Sequence, residues 1–265
     1  MRENGSGQQN RRMQLSSAHL NRVAPKALAA CAVAALFVNE YDRDLPRIAI
    51  PRPAVQIVVR FGPSARDGLD VHAFGVQRRV RRKLIRAGQR AVMASLHLGT
   101  SKAVIGVAAD EIAGQVIELD DLWGCAATQR LLDQLATTRV TSGAAEVLES
   151  AIAARAVISG SNRLVLEAAE RLASAGVNIV ATDLGVSERH LRRVFREAVG
   201  VSPKEFARLV RFNRALRAAH EDDGESWASI AAAAGYYDQA HLIGEFHSIS
   251  GVTPRALLSE LRAGS

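Results

Sequence analysis

Apolar and polar positions change their spacing twice along this chain. From Ala27 to Val38 the residues are unbroken apolar, a run short of the roughly 20 residues that cross a bilayer. It predicts an N-terminal helix packed on the domain that follows. After Pro51 and Pro53 the pattern becomes period-two, the mark of half-buried strands. Val55, Ile57, Val59 and Phe61 share one face, with Gln56 and Arg60 in the other set. Leu69, Val71 and Ala73 alternate with Asp70, His72 and Phe74, and Val92, Ala94, Leu96 and Leu98 alternate with Met93, Ser95 and His97. Gly62-Pro63-Ser64 and Arg66-Asp67-Gly68 supply turn chemistry between them. Residues from about 47 to 119 therefore read as a small β-rich domain.

Helical spacing returns after Asp120-Asp121, in Leu122, the stretch Gln129 to Leu135, Val147-Leu148 and Ile152. This predicts a helical connector ending near Gly160, with Gly143 and Gly160 as breaks. From Ser161 on the pattern is helical throughout, with Ser161, Ser187, Ser202, Ser226, Asp238 and Thr253 as candidate N-caps. Ser202-Pro203-Lys204-Glu205 combines a cap, a proline at the first helical position and a glutamate at the third. The fold class expected is α+β. A disordered lead over 1–20 precedes a helix and β-rich domain over 21–119, a helical connector over 120–160 and an all-α domain over 161–265.

The C-terminal region contains a duplication. His190, Leu191, Phe195, Gly200, Val201, Ser202 and Pro203 reappear as His241, Leu242, Phe246, Gly251, Val252, Thr253 and Pro254, each pair 51 residues apart. A constant offset over so many positions implies two copies of one supersecondary unit. Each copy has the chemistry of a helix-turn-helix. Val180, Ala181 and Leu184 stripe the first helix, Gly185 admits the positive φ of a tight turn, and Val186, Leu191 and Val194 complete the core. Ile230, Ala231, Ala234, Gly235, Tyr236, Leu242 and Phe246 play these parts in the second copy, whose turn is one residue longer.

The outward faces carry the candidate chemistry. On the first recognition helix, about 188–197, Arg189, Arg192, Arg193 and Arg196 remain once the core is assigned, and arginine suits both phosphate and the O6/N7 edge of guanine. On the second, about 239–247, Asp238 caps the helix while Gln239, Ala240, His241 and Ile243 are placed to face a groove. Glutamine can read adenine. His241 occupies the slot of His190, which suits packing or a phosphate contact as well as base reading. Between the modules, Pro203 to about His220 forms a joining helix whose arginines at 208, 211, 214 and 217 spiral around it. Most of them therefore read as solvated or salt-bridging.

Together these motifs closely resemble the AraC-type transcription regulators. The segments carrying the resemblance are Gly185 to Phe195, Gly200 to Pro203, Gly235 to Leu242 and Gly251 to Pro254, about 100 residues in all. The resemblance implies two modules whose recognition helices enter successive major grooves of double-stranded DNA. It places base and phosphate contacts on Ser187, Arg189, Arg192, Arg193, Arg196, Gln239, Ala240, Ile243 and Gly244. Gly244 departs from the family, which commonly has a basic residue there, so the first module is expected to supply more of the specificity. Asp121-Leu122-Trp123-Gly124 and the strands before it are similar to sensing domains that precede this unit. That similarity implies a small cupin-like β-barrel, a small-molecule effector and homodimerisation, and RNA polymerase is an expected partner of the regulator as a whole.

Charge and composition refine this picture. The net charge of +7 suits a polyanionic partner. Basic and acidic residues balance from Ser161 onward, thirteen of each, so the surplus lies in the N-terminal part. Arg78, Arg79, Arg81, Arg82 and Lys83 carry some of it and read as a solvated strand edge, with an acidic protein, RNA polymerase or DNA as alternative partners. Arg11, Arg12 and Lys26 before the apolar run give it the outline of a secretion signal. Export would separate a DNA-binding unit from its substrate, and two isolated cysteines, Cys31 and Cys125, fit a reducing cytoplasm. Enzyme readings are weaker. Neither His72 nor His97 has a second histidine two residues away, as a cupin metal site would favour. Cys31 and Cys125 lie in apolar segments without an activating group. No catalytic residue, metal or cofactor is expected.

Overall fold

The computed structural model describes residues 21–23, 32–138, 140–156, 163–221 and 226–263. The lead over 1–20, residues 27–31 with Cys31, and the proposed Gly160 break and Ser161 cap lie outside them.

A six-stranded antiparallel sheet forms the N-terminal half. In chain order the strands are β1 (Asn21–Val23), β2 (Val33–Glu40), β3 (Leu45–Ala49), β4 (Gln56–Phe61), β5 (Leu69–Phe74), β6 (Arg81–Ile85), β7 (Arg90–Leu96) and β8 (Val116–Glu118). The sheet runs β1-β2-β7-β4-β5-β8, while β3 and β6 pair separately. The alternation of β4 appears as expected, with Ile57, Val59 and Phe61 buried. The expected N-terminal helix is corrected where the structure describes it. Val33–Glu40 is a strand between β1 and β7. Residues of both sets along it, Val33, Leu36, Phe37 and Asn39, are buried. A strand covered on both sides loses its alternation and reads as a continuous apolar run.

The expected helical connector is helical, and it packs on the sheet. Helices α1 (Ser101–Ile105), α2 (Leu119–Trp123), α3 (Cys125–Ala136) and α4 (Thr141–Arg155) belong to the core of the sheet domain. Leu131, Leu135, Ala144, Ala145, Leu148 and Ile152 join Ile57, Val59, Val71, Ala73, Val92 and Ala94 in one cluster. Gly143 lies inside α4, and the chain breaks before it, between α3 and α4. Cys125 is exposed at the start of α3, not apolar-packed.

The outer face of the sheet holds a buried charge. Asp70 receives Arg60 across the strand pair through two bonds of 2.7 Å and the Arg66 N–H at 2.8 Å, with His72 Nδ1 at 3.3 Å. Burial pushes its carboxyl pKa up, but the His72 ring, the Arg60 fork and the Arg66 N–H outweigh burial and hold it well below the usual carboxylate range. A folded-state value depressed below the unfolded one stabilises the fold above about pH 4 and loses that contribution as pH falls further. Asp70→Asn is therefore expected to flatten the loss of stability below about pH 4, read from urea midpoints across an acid series. An acid limb as steep as that of the wild type would count against it.

Among the described residues of the C-terminal half there are seven helices: α5 (Arg163–Leu172), α6 (Val177–Asp183), α7 (Glu188–Val199), α8 (Pro203–Glu221), α9 (Trp227–Ala234), α10 (Gln239–Ser250) and α11 (Pro254–Ala263). The predicted caps at Ser187, Ser202, Ser226, Asp238 and Thr253 each accept a backbone N–H three residues on. Phe195 packs edge-on to Phe206 of α8 at 5.2 Å, and Phe246 lies 4.6 Å from Phe212, six residues further along the same helix. The joining helix thus seats both modules through equivalent phenylalanines.

The two halves share an apolar seam. Ile48 and Val76 are buried within the same cluster as Leu191, Phe195 and Phe246, with Ile50, Val80 and Leu98 packed against it. Gly200, which ends α7 at φ +92°, sits so close to Ala109 that a Cβ would lie 2.8 Å from its carbonyl oxygen. Its counterpart Gly251 has φ +79° and open space around it. Gly251→Ala is expected to cost only left-handed strain, about 1–2 kcal/mol, and Gly200→Ala more, because the Ala109 backbone must also move. Equal urea midpoints for the two variants would contradict this contact.

Candidate nucleic-acid interface

Each module is closed by the same backbone device. The Val186 N–H reaches the Ala181 carbonyl at 3.0 Å, and the Tyr236 N–H reaches that of Ala231 at 2.9 Å. Gly185 and Gly235 turn the chain at φ +67° and +85°, a region open to glycine at little cost. The next helix is then started by a side-chain cap. Ser187 Oγ accepts the His190 N–H at 3.2 Å, and Asp238 Oδ1 accepts that of His241 at 2.7 Å. Ser187 and Asp238 therefore have one lone pair committed to the helix terminus.

The recognition helices extend two or three residues past their expected ends. On α7, Leu191, Phe195 and Val199 are buried while Arg189, Arg192, Arg193 and Arg196 are exposed. Arg192 pairs with Glu188 one turn earlier, and Arg193 with Glu197 at 3.1 Å. Arg196 lies 3.9 Å from Asp110 of the sheet domain. Arg189 makes no ion pair among the described residues. On α10, Leu242 and Phe246 are buried, and Gln239, Ala240, His241, Ile243 and Gly244 are exposed.

His241 is only half-exposed as a side chain. Its ring meets Tyr236 edge-on at 5.3 Å, and Nε2 lies 3.7 Å from Glu245. Glu245 is largely buried and accepts Arg211 at 2.9 Å, with Arg208 at 3.8 Å, both from α8. Of the joining-helix arginines, these two pin α10 in place. Burial, then the charge of Glu245, raises the Tyr236 hydroxyl pKa above its ordinary value and keeps it protonated.

The basic stretch before β7 is corrected in part. Arg82 is not simply solvated: it grips Glu260 of α11 at 2.7 Å and donates to the Ser250 carbonyl at 2.9 Å, beside a Val80 N–H to Ile249 carbonyl bond of 2.9 Å. On the other module, Ser101 Oγ reaches the Ala198 carbonyl at 3.3 Å and the Ala109 N–H that of Glu197 at 2.8 Å. Ala198 and Ile249 are 51 residues apart. The sheet domain thus holds the C-terminal end of each recognition helix at the equivalent carbonyl. Arg78, Arg79, Arg81 and Lys83 remain exposed.

Sequence reasoning missed Tyr237, which is 93% exposed immediately before the second recognition helix. The signal was the Tyr236-Tyr237 doublet, of which only one member can turn into the core. Among the described residues no group of three or more His, Cys, Asp or Glu side chains is placed to hold a metal ion, and no helix is long and apolar enough to cross a membrane.

A family model described as a helix-turn-helix domain matches residues 180–260. Among solved structures, the DNA-binding domain of AdpA, a global transcriptional factor in complex with a target DNA, is 27% identical. That match covers 38% of this chain and 91% of that one, with a TM-score of 0.34. ToxT from Vibrio cholerae is 11% identical over 85% of this chain and 97% of its own, with a TM-score of 0.44. ToxT in its unsaturated fatty acid bound form matches over 94% and 98%, also 11% identical, with a TM-score of 0.43. No curated protein matches the chain.

Proposed function

We propose that this chain, whose residues 180–260 are a helix-turn-helix domain of AraC type, is a transcription regulator that reads two successive major grooves of duplex DNA with α7 and α10. The observation that carries the reading is the face of α7: four exposed arginines on a helix whose opposite side is fully packed. Ser187, Arg189, Arg192, Arg193 and Arg196 are its contacts in the first groove, and Gln239, Ala240, His241 and Ile243 in the second. Partners of Arg192 and Arg193 on their own helix are exposed i,i+4 carboxylates, worth about 0.3–0.5 kcal/mol each, so a phosphate or guanine displaces them readily.

The N-terminal domain is the control element in this reading, answering to a small molecule or to homodimerisation. Its hold on both recognition helices supports that role, since a change in the domain reaches each of them directly. Cytoplasmic action with RNA polymerase as downstream partner completes the reading.

Selection of bound fragments from genomic DNA, followed by mobility-shift titration across a salt series, tests it. The expected site has two elements one helical turn apart, about 10 base pairs, and binding weakens steeply with salt. Salt-sensitive binding without enrichment of any sequence would overturn sequence-specific recognition.

A further inference from the structure

The two recognition helices are equivalent in position and opposite in chemistry. Set 51 residues apart, Ala240 takes the place of Arg189, Ile243 that of Arg192, Gly244 that of Arg193 and His247 that of Arg196. Every one of these side chains is exposed, so the replacement of arginine by aliphatic residues and glycine is not a core requirement. Ile243 is 38% exposed, beside a Leu242 that is wholly buried. Gly244 has open space where a side chain would stand, which lets a flat partner approach the helix closely beside Ile243. Tyr237 presents its ring at the leading end of the same helix.

A face of this kind cannot grip guanine as arginine does. The apolar feature that a major groove offers is the thymine C5-methyl group, and it lies in the pair whose adenine a glutamine can read through N6 and N7. Gln239 is exposed at the first position of α10. Aliphatic and amide contacts therefore converge on one type of base pair. Continuity with α7 commits the occupant, because these are the slots through which the first module would meet its own groove.

We propose that α10 reads A·T pairs, with Ile243 and Ala240 against thymine methyl groups, Gln239 on adenine and Tyr237 packed on the sugar edge of the groove, while guanine reading is left to the arginines of α7. This inference rests on the DNA-binding reading above and assigns its second half-site.

Deoxyuridine pairs as thymidine does but lacks the methyl group, so it isolates the contact. On a site obtained by selection, the half whose preference relaxes in the Arg193→Ala protein is assigned to α7, and the other to α10. Replacing the thymidines of the α10 half by deoxyuridine is expected to weaken binding about fourfold for each methyl buried, read by fluorescence anisotropy. The same replacement in the α7 half is expected to leave affinity within about twofold, since arginine contacts do not use the methyl. Ile243→Ala, an exposed change to a better helix former, is expected to weaken binding to the thymidine site and to remove the part of the deoxyuridine effect that Ile243 carries, leaving that of Ala240. Full deoxyuridine sensitivity in Ile243→Ala, or none in the wild type, overturns the inference while leaving DNA binding intact. A selected site whose α10 half shows no A·T preference does the same. Failure to select any site overturns both readings.

Discussion

Replacing Arg193 by alanine is expected to weaken binding to the selected duplex by about 1–3 kcal/mol, roughly 5- to 150-fold, if the side chain makes a bidentate contact with guanine. The fold itself should barely respond. Arg193 is 59% exposed, and its only ion pair among the described residues is with Glu197 on its own helix, a kind of interaction worth a few tenths of a kcal/mol. The loss therefore belongs to the complex. Circular dichroism and a urea midpoint close to wild type would establish that the domain is intact, and anisotropy would then measure the binding change. Salt dependence separates two roles: loss of a phosphate contact lowers the slope of log affinity against log salt by about one and weakens all sequences alike, whereas loss of a base contact relaxes preference at one position. A variant that binds like wild type takes Arg193 out of the interface.

Phe246→Ala is expected to be the most damaging single change in the second module, at about 3–5 kcal/mol of unfolding free energy. The ring is wholly buried and touches two other aromatics, Phe212 of the joining helix at 4.6 Å and Trp227 of α9 at 6.2 Å. Its removal leaves a cavity that three helices border, and α10 loses the anchor that fixes its angle. Binding should fall with stability, because a recognition helix free to tilt cannot hold its contacts in a groove. Chemical denaturation gives the stability change directly. Phe246→Leu, which keeps most of the volume, should recover much of it. A Phe246→Ala protein with an unchanged midpoint would mean that the aromatic seat is not what holds the second module.

Much of this architecture was legible in the residues, for physical reasons that differ by region. The helix-turn-helix pair was readable because its parts are local: a cap, a turn glycine and an apolar stripe all fall within a few turns of chain, and duplication marked them twice. Strands β4 and β5 were readable because Ile57, Val59, Val71 and Ala73 face a core while their neighbours do not. The strand Val33–Glu40 was not, since covering on both sides erased its period. Nothing in the chain around Glu245 marks it as buried; Arg208 and Arg211, thirty-odd residues earlier, arrive to pair with it. Arg82 was hidden in the same way. Its partners Ser250 and Glu260 lie 168 and 178 residues further on, a pairing that no local pattern records.

The bonds to Ala198 and Ile249 tie both reading helices to one body, and two fixed points on one body define a length. On the DNA-binding reading, that length must match the spacing of two half-sites, and a base pair added or removed between them shifts the halves by about 3.4 Å. In the proposed reading, the distance between the two DNA contacts is thus set partly by the sheet domain, outside the helices that would meet the duplex.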